Sequence, residues 1–167
     1  MGKNPWRGAD DTLCPVARSL AVVGDRWTIL ILRELFMGSV RFDAIQAQTG
    51  ASPQMLAARL KQLEAGGMVA RVAYSLRPLR HEYQLTAKGR DFYPVIYALR
   101  AWGETWCKSP DEESAVRFTH RQCGTDVGRG TFCTTCGVAV EPTDLNARLS
   151  LPFKRERAKR RAHGSPG

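Results

Sequence analysis

The sequence S-P-Q-M-L-A-A-R-L-K-Q-L-E-A-G-G, at residues 52–67, carries the start, the apolar repeat and the end of one α-helix. Ser52 can accept a hydrogen bond from a free N–H group of the first turn, and proline is favoured next because it has no N–H to leave unpaired. Three leucines then recur at helical spacing, which predicts one buried face. Gly66-Gly67 is typical of a helix end that needs a left-handed residue. We therefore predict a helix that begins at Ser52 and ends at the double glycine.

The segments on both sides of this helix complete an arrangement that reads DNA. A shorter amphipathic segment with Phe42 and Ile45 precedes it, and Thr49-Gly50-Ala51 joins the two, which predicts a helix-turn-helix. Two β-prone runs follow at residues 68–74 and 81–86. The connection between them is too short for anything but a hairpin tip. Helix, turn, helix and basic-tipped hairpin together predict a winged helix.

The helices outside this stretch are predicted to supply the core and a partner surface. Cys14-Pro15 opens a helix that runs through Val23, and W-T-I-L-I-L-R-E-L-F at 27–36 is apolar on nearly every side, as is typical of a central core helix. After the hairpin, Thr86 can cap a long helix that reaches about Cys107. Pro94 lies inside its first turns, so this helix is expected to kink there or to start nearer Tyr93.

Charge and cysteine content restrict the partners and the compartment. The 167 residues carry a net charge of +9, which favours a polyanionic partner. The excess lies in residues 1–110 (15 basic, 9 acidic) and 154–167 (6 basic, 1 acidic), with a mildly acidic segment between them. The odd count of five cysteines favours a reducing compartment, and we expect a cytoplasmic protein. No apolar run approaches the roughly 18–20 residues that cross a membrane.

Several motifs resemble the HxlR-type transcriptional regulators, a bacterial branch of the winged helix-turn-helix proteins related to MarR. The motifs are C-P-V-A-R-S-L at 14–20, G-D-R-W-T-I-L-I-L-R-E-L at 24–35, R-F-D-A-I at 41–45, S-P-Q-M-L-A-A-R-L-K-Q-L-E-A-G-G-M-V at 52–69, R-P-L-R-H-E-Y-Q-L-T-A-K-G at 77–89 and L-R-A-W-G at 99–103. They cover roughly residues 12–107 in the expected order. The resemblance implies a homodimer, formed through the first and last helices, that binds a pseudo-palindromic operator as repressor or activator. The resemblance does not identify the effector, for which a small molecule and a redox signal are both candidates.

The helix that begins at Ser52 is predicted to enter the major groove, and the hairpin tip to contact the minor groove or phosphates. Glutamine can pair with adenine, arginine with guanine, and methionine or alanine can contact a thymine methyl group. The predicted DNA contacts are Arg41, Ser52, Gln54, Met55, Ala58, Arg59, Gln62, Arg77 and Arg80. Two alternatives stay open. Arg59 can instead pair with an acid such as Glu64, and the hairpin tip can be a solvated turn.

The long helix after the hairpin carries more aromatic surface than one small domain needs, which favours a partner chain against it. The alternative is a helix folded back on its own domain. With the first helix, the predicted dimer interface consists of Val16, Leu20, Phe92, Ile96, Leu99, Trp102 and Trp106.

A second pattern, H-x-x-C-G at 120–124 followed by C-x-x-C-G at 133–137, predicts a metal site. Two-residue spacing lets both side chains of a pair reach one ion, and a glycine after the second ligand permits the tight turn that such pairs need. One histidine and three cysteines, His120, Cys123, Cys133 and Cys136, predict a structural zinc ion. The alternatives are a reversible Cys133–Cys136 disulfide, vacant thiols, or another group in place of His120.

These patterns predict a mainly α fold with a β-hairpin wing, a winged helix-turn-helix domain plus a small zinc-knuckle-like β module. The predicted segments are a flexible N-terminus at 1–11, the DNA-binding and dimerisation domain at 12–107, a linker at 108–114, the Cys/His module at 115–151 and a basic disordered tail at 152–167. The tail either adds phosphate contacts or only increases solubility.

Two further hypotheses concern the thiols. Cys14 lies at a helix start near Arg18, where a thiolate is stabilised, so it is a candidate redox or electrophile sensor, paired with Cys107 across the dimer. The alternative is an inert cysteine. An oxidoreductase using Cys133 and Cys136 is the rival class, but the strand and βαβ unit expected around such a motif are missing. We therefore expect no enzymatic activity.

Overall fold

The structure, a computed structural model, describes residues 12–164. These residues form two units with the boundary between Asp91 and Phe92. The predicted flexible N-terminus, 1–11, lies outside the described residues. No helix within 12–164 is long and apolar enough to cross a membrane.

The first unit has the predicted winged helix-turn-helix architecture. Its helices and strands are α1 (Pro15–Val23), α2 (Arg26–Phe36), α3 (Phe42–Thr49), α4 (Pro53–Ala65), β1 (Val69–Leu76), β2 (Leu79–Leu85) and α5 (Ala87–Arg90). Gly50, with φ +71°, makes the turn between α3 and α4, a conformation that favours glycine. Gly67, not Gly66, is the left-handed residue after α4.

Helix α2 is the central element of this unit, because it packs on both α3 and α4. The Asp25 side chain starts it by accepting hydrogen bonds from the backbone N–H groups of Trp27 and Thr28 at 3.0 and 3.1 Å. The fully buried apolar side chains of the three helices include Ile31, Leu32, Ile45, Leu56, Leu60 and Leu63. Each such side chain stabilises the fold by about 1.5–3 kcal/mol relative to an exposed one.

One acidic side chain lies in this apolar surrounding. Glu34 of α2 has no exposed surface. Its Oε1 lies 2.8 Å from Nη2 of Arg33, and its Oε2 accepts a hydrogen bond from the Ser39 hydroxyl at 3.0 Å. These partners satisfy a buried carboxylate that would otherwise be costly. They also hold the turn after α2, which leads into the helix-turn-helix.

The wing is a longer hairpin than the sequence suggested. Antiparallel pairing extends from Val69 opposite Leu85 to Leu76 opposite Leu79, so the tip is only Arg77 and Pro78. Its base is close to α5, because a Cβ on Gly89 would lie 2.1 Å from the carbonyl oxygen of Met68. Glycine is therefore required at this contact.

The predicted long helix after the wing is two helices. Thr86 caps only the short α5, whose first turn it closes by accepting from the Gly89 N–H at 3.1 Å. The next helix, α6 (Tyr93–Trp106), begins with Pro94 in its first turn. Proline is tolerated there because the N–H it lacks would have had no partner within the helix. Of the two predicted possibilities, the structure therefore has a helix that starts at Tyr93, not a kinked one.

The second unit joins α6 to the Cys/His module. Its other elements are β3 (Val116–His120), β4 (Phe132–Cys133), β5 (Val138–Ala139), a 3₁₀ turn (Pro142–Asp144), β6 (Leu145–Leu149) and α7 (Leu151–Gly164). β3 pairs with β6 and β4 with β5, both antiparallel. The predicted boundary after α6 differs from the structure, because α6 contributes to the core of the module. Tyr97 is buried there, and Tyr93 packs against it. The other buried members of this core are Val127, Cys133, Val140 and Leu145.

The segment that the sequence indicated as a linker is held against α6. The buried carboxylate of Glu104 accepts hydrogen bonds from the Ser114 hydroxyl at 2.9 Å, the Ala115 N–H at 3.2 Å and Lys108 Nζ at 3.0 Å. These bonds join both ends of the segment 108–114 to one helix. The segment is therefore part of the second unit.

The prediction of a disordered tail does not hold for residues 151–164, which form α7. The Ser150 hydroxyl accepts from the Phe153 N–H at 3.3 Å and so caps the helix. Arg157 is only 5% exposed, and its guanidinium carbon lies 5.7 Å from the centre of the Phe153 ring. Glu156 and Arg160 form an i, i+4 ion pair at 2.9 Å. The Ser150 cap and the contact of buried Arg157 with Phe153 stabilise this helix, which the composition alone did not predict.

We expect Glu34→Ala to lower the free energy of unfolding by about 3 kcal/mol, because it leaves a cavity and removes the carboxylate from its buried partners. Urea denaturation followed by circular dichroism measures this change. The matched control is Glu64→Ala on the exposed surface of α4, which should change stability by less than about 0.5 kcal/mol. Equal effects of the two substitutions would contradict a structural role for Glu34.

Candidate nucleic-acid interface and metal centre

Helix α4 presents two chemically different faces. Its leucines are buried, whereas Gln54, Ala58 and Gln62 are exposed and Met55 is half-buried. Ser52 accepts a hydrogen bond from the Met55 N–H at 3.2 Å, which fixes the first turn. The exposed face therefore carries the donors, acceptors and methyl groups that the sequence assigned to base contacts.

Arg59 is held by other side chains of the same unit. Its Nε lies 3.3 Å from Oδ1 of Asp25, and its Nη1 donates a 2.6 Å hydrogen bond to Oε1 of Gln62. Asp25 also caps α2, so the contact joins the start of α2 to the middle of α4. Partial burial raises the pKa of Asp25, but hydrogen bonds from Thr28 and the charge of Arg59 outweigh it and lower the pKa below its usual value. This geometry favours the alternative in which Arg59 pairs with an acid, and the acid is Asp25 rather than Glu64.

The predicted DNA-contacting arginines in and beside the wing also fall into two groups, those exposed to solvent and one held by other side chains. Arg77 and Arg80 are exposed at and beside the tip. Arg41, in contrast, contacts the wing itself: its Nε lies 3.4 Å from Oε1 of Glu82, and its guanidinium carbon lies 4.8 Å from the centre of the Tyr74 ring. Arg41 thus fixes the wing relative to the start of α3, while the two arginines near the tip are exposed to solvent.

The residues of the predicted dimer interface lie on exposed helix faces. Trp102 and Trp106 of α6 are 58% and 73% exposed, and Val16 and Leu20 of α1 are 64% and 57% exposed. Leu99 is exposed as well, whereas Phe92 and Ile96 are half-buried. Two exposed tryptophans on one helix are costly in a monomer, since they leave large apolar surfaces in water.

The opposite face of α6 is covered by the Cys/His module. The ring of Tyr97 is 3% exposed and meets the ring of Phe118 edge-on, with 5.2 Å between centroids. The Arg100 guanidinium lies over both rings, 4.6 and 4.7 Å from their centres, and donates a 2.8 Å hydrogen bond to the carbonyl of Gly128. The module and the exposed tryptophans therefore share one helix.

The four predicted metal ligands come together. The ligand atoms of His120, Cys123, Cys133 and Cys136 all lie within 4.8 Å of one another. Sγ of Cys123 is 3.3 Å from Nδ1 of His120 and 3.5 Å from Sγ of Cys133. In a tetrahedral zinc site, metal–ligand bonds of about 2.0–2.3 Å place neighbouring ligand atoms about 3.5–3.8 Å apart. The four ligand atoms are therefore close enough together to surround one metal ion.

The backbone builds this cluster from two similar turns. Gly124 (φ +75°) donates its N–H to the carbonyl of His120 at 2.7 Å, and Gly137 (φ +70°) donates to that of Cys133 at 2.9 Å. Each turn brings its two ligand side chains, which are three residues apart in sequence, to the same side of the candidate metal site. The left-handed conformation explains why glycine follows each second ligand.

The thiols differ in proton affinity. Hydrogen bonds with the side chain and backbone of Thr125 lower the pKa of Cys123 to about 6. The hydrogen bond with Cys123 is the largest of the effects that raise the pKa of Cys136 to about 11. Such a donor set is chemically suited to a thiophilic metal ion.

Comparison with known proteins agrees with this fold. Residues 22–111 match the family described as HxlR-like helix-turn-helix. An uncharacterized HTH-type transcriptional regulator of Mycobacterium tuberculosis, Rv3095, is 37% identical over 139 residues, which cover 83% of this chain and 87% of the relative. The chain belongs to the HxlR-like helix-turn-helix family and is a DNA-binding transcriptional regulator.

Two solved structures extend the comparison. The crystal structure of PA1607, assigned as a transcription factor, is similar with a TM-score of 0.65 and 38% identity, covering 85% of this chain and 97% of that one. The redox regulator HypR, in its oxidized form, is similar with a TM-score of 0.52 and 33% identity, covering 55% of this chain and 96% of that one.

Sequence reasoning missed the residues that act through tertiary contacts. Asp25 is recognisable as a helix start because it precedes an apolar helix, but its pairing with Arg59 crosses 34 residues. Arg100 and Thr125 had no motif that could have indicated their contacts with the module. Whether each predicted residue touches DNA stays a prediction.

Proposed function

We propose that this regulator is a homodimer that binds a pseudo-palindromic operator, with α4 in the major groove and the wing tip on the backbone or minor groove. The proposal is carried by the exposed polar face of α4, opposite a face of fully buried leucines. Two such helices related by a two-fold axis contact half-sites about one helical turn, roughly 34 Å, apart. We propose chromosomal DNA as its partner and the bacterial cytoplasm as its location.

Base contacts belong to the side chains of α4 that the fold leaves available. Gln54 and Ala58 are exposed, and Met55 is half-buried. Ser52, Arg77 and Arg80 are then phosphate or minor-groove contacts. Arg59 and Arg41 position α4 and the wing through Asp25 and Glu82.

We expect Gln54→Ala to reduce discrimination at one base pair of each half-site by about tenfold or more, since a bidentate contact is worth about 1–3 kcal/mol. Selection from a random duplex library, followed by titration of single-base variants, measures it.

The matched comparison is Arg59→Ala. It should lower the free energy of unfolding while the base preference of the remaining folded protein stays the same, because the Asp25–Arg59 contact is structural. Lost base preference at unchanged stability would instead make Arg59 a base-reading residue, as the sequence first suggested.

The homodimer is proposed from the exposed apolar side chains of α1 and α6, and from the two-fold symmetry that operator binding of this kind requires. We expect sedimentation of the protein as a dimer, and a shift to monomer for Trp102→Glu combined with Trp106→Glu, because charges at a buried interface are costly. The control is Leu79→Glu, an exposed leucine of the wing (61% exposed) outside the predicted interface. A tryptophan variant that remains dimeric would contradict this interface.

A thiol-based response is a second candidate, favoured by the similarity to the redox regulator HypR. Cys14 and Cys107 are both exposed free thiols, and Cys14 is the residue before α1. The sedimentation samples also test it. Diamide should yield a covalent dimer on non-reducing gels and change DNA affinity, and Cys14→Ser should abolish both effects. Affinity that is indifferent to diamide would exclude the sensor.

Zinc is the ion that we propose for the Cys/His cluster, with a structural role, because four protein ligands leave no open coordination position. The module has a small apolar core, so metal binding supplies part of its folding free energy. Through Tyr97 and Arg100 the same ion supports α6.

We expect about one zinc ion per chain in protein purified without chelator. Chelation should increase hydrogen exchange in β3, β4 and α6 but not in the α2–α4 core. Cys133→Ser should lose the metal, whereas Cys107→Ser, which changes an exposed cysteine outside the cluster, should keep it. A metal-free wild type with a cycling Cys133–Cys136 disulfide would favour the redox alternative.

A further inference from the structure

Helix α7 is the most highly charged surface in the second unit. Six of its side chains are basic and one is acidic. Lys154, Arg155 and Lys159 are exposed, and no carboxylate within residues 12–164 forms an ion pair with them. Because the helix has its own cap and the Phe153–Arg157 contact, these three charges are presented from a fixed backbone rather than from a flexible tail.

The strand before α7 adds a charge arrangement that fold stability does not explain. In the β3–β6 pair, Arg117 lies directly opposite Arg148, and both are exposed. Like charges at directly opposite positions are destabilising. Neither arginine forms an ion pair within the described part of the chain. A polyanion bound at this surface would offset the repulsion.

The chemistry of α7 excludes a membrane surface as the partner. An interfacial helix needs a broad apolar face opposite its charges. The apolar side chains of α7 are Leu151, Pro152, Phe153 and two alanines, which cluster at its first turn apart from the alanines. Phe153 packs against Arg157 within the unit. Cations without an apolar face fit a regular row of phosphates.

We propose that α7, together with Arg117 and Arg148, binds phosphates of duplex DNA independently of base sequence. This inference rests on the proposed DNA-binding function and gives the second unit a part in it. From Lys154 to Lys159 the helix rises about 7.5 Å, which is about the length of three successive phosphates along one strand. The surface therefore adds affinity and salt dependence, while α4 supplies base preference.

The test is the salt dependence of duplex binding by the full chain carrying Arg148→Gln, Lys154→Gln, Arg155→Gln and Lys159→Gln. Each lost phosphate contact should reduce the slope of log K against log salt by about 0.9. For the four substitutions we expect a reduction of about 3.6 per bound chain, at least tenfold weaker binding at 100 mM salt, and equal loss on selected and random duplexes. The control keeps the charges, with Arg148→Lys, Lys154→Arg, Arg155→Lys and Lys159→Arg, and should retain the slope.

The substitutions leave Ser150, Phe153 and Arg157 in place, and glutamine is a good helix former. Helix content and metal content of the variant verify its fold, and the single substitution Arg155→Gln, with an expected change of about 0.9, gives a second measurement. An unchanged slope on duplex DNA overturns the proposal. The same titration with a structured RNA is a second readout, and a loss of affinity for the RNA without a loss for duplex DNA also overturns it. If the slope falls but the wild type shows no base preference on any duplex, the proposed function fails while this inference stands.

Discussion

The burial of three leucines of α4 against α2 is the contact on which the DNA-binding unit depends. Because these three leucines, Leu56, Leu60 and Leu63, bury one face of the helix, the residues on the other face point to solvent. Gln54 and Ala58 lie on that exposed face. The Asp25–Arg59 contact joins the start of α2 to α4 and fixes the rotation of α4 about its axis. The buried Glu34 holds the turn that leads into α3. The orientation of the side chains proposed to read bases is therefore a consequence of core packing.

Helix α6 is the central element of the second unit. One face of α6 completes the core of the Cys/His module through Tyr97, whose ring contacts Phe118 and whose neighbour Arg100 donates to the module backbone. The opposite face presents Trp102 and Trp106 to solvent. A structural ion in the module would thus stabilise the helix proposed to form the dimer. Under the two proposals, packing along α6 would link metal binding to dimer formation.

The predictable part of this protein is the part encoded by local patterns. Ser52-Pro53, Gly50 and the glycines after Cys123 and Cys136 specify backbone conformations that neighbours in sequence enforce, and the helix-turn-helix and the metal cluster both followed from them. Periodicity did not show that Thr86 caps only a short helix, because a polar residue can cap a helix of any length. Composition also failed for α7, since its order depends on the cap at Ser150 and on the burial of Arg157.

The sequence by itself determined the architecture of the first unit, the four residues of the metal cluster and the membership of a DNA-binding family. Each of these depends on spacing along the chain, which a helix or a tight turn converts directly into proximity. Only the tertiary structure decided that Arg59 pairs with Asp25, that α6 belongs with the Cys/His module, and that the basic segment at 151–164 is a helix. These outcomes depend on which distant side chains compete for the same burial and the same hydrogen bonds, and no local pattern carries that information.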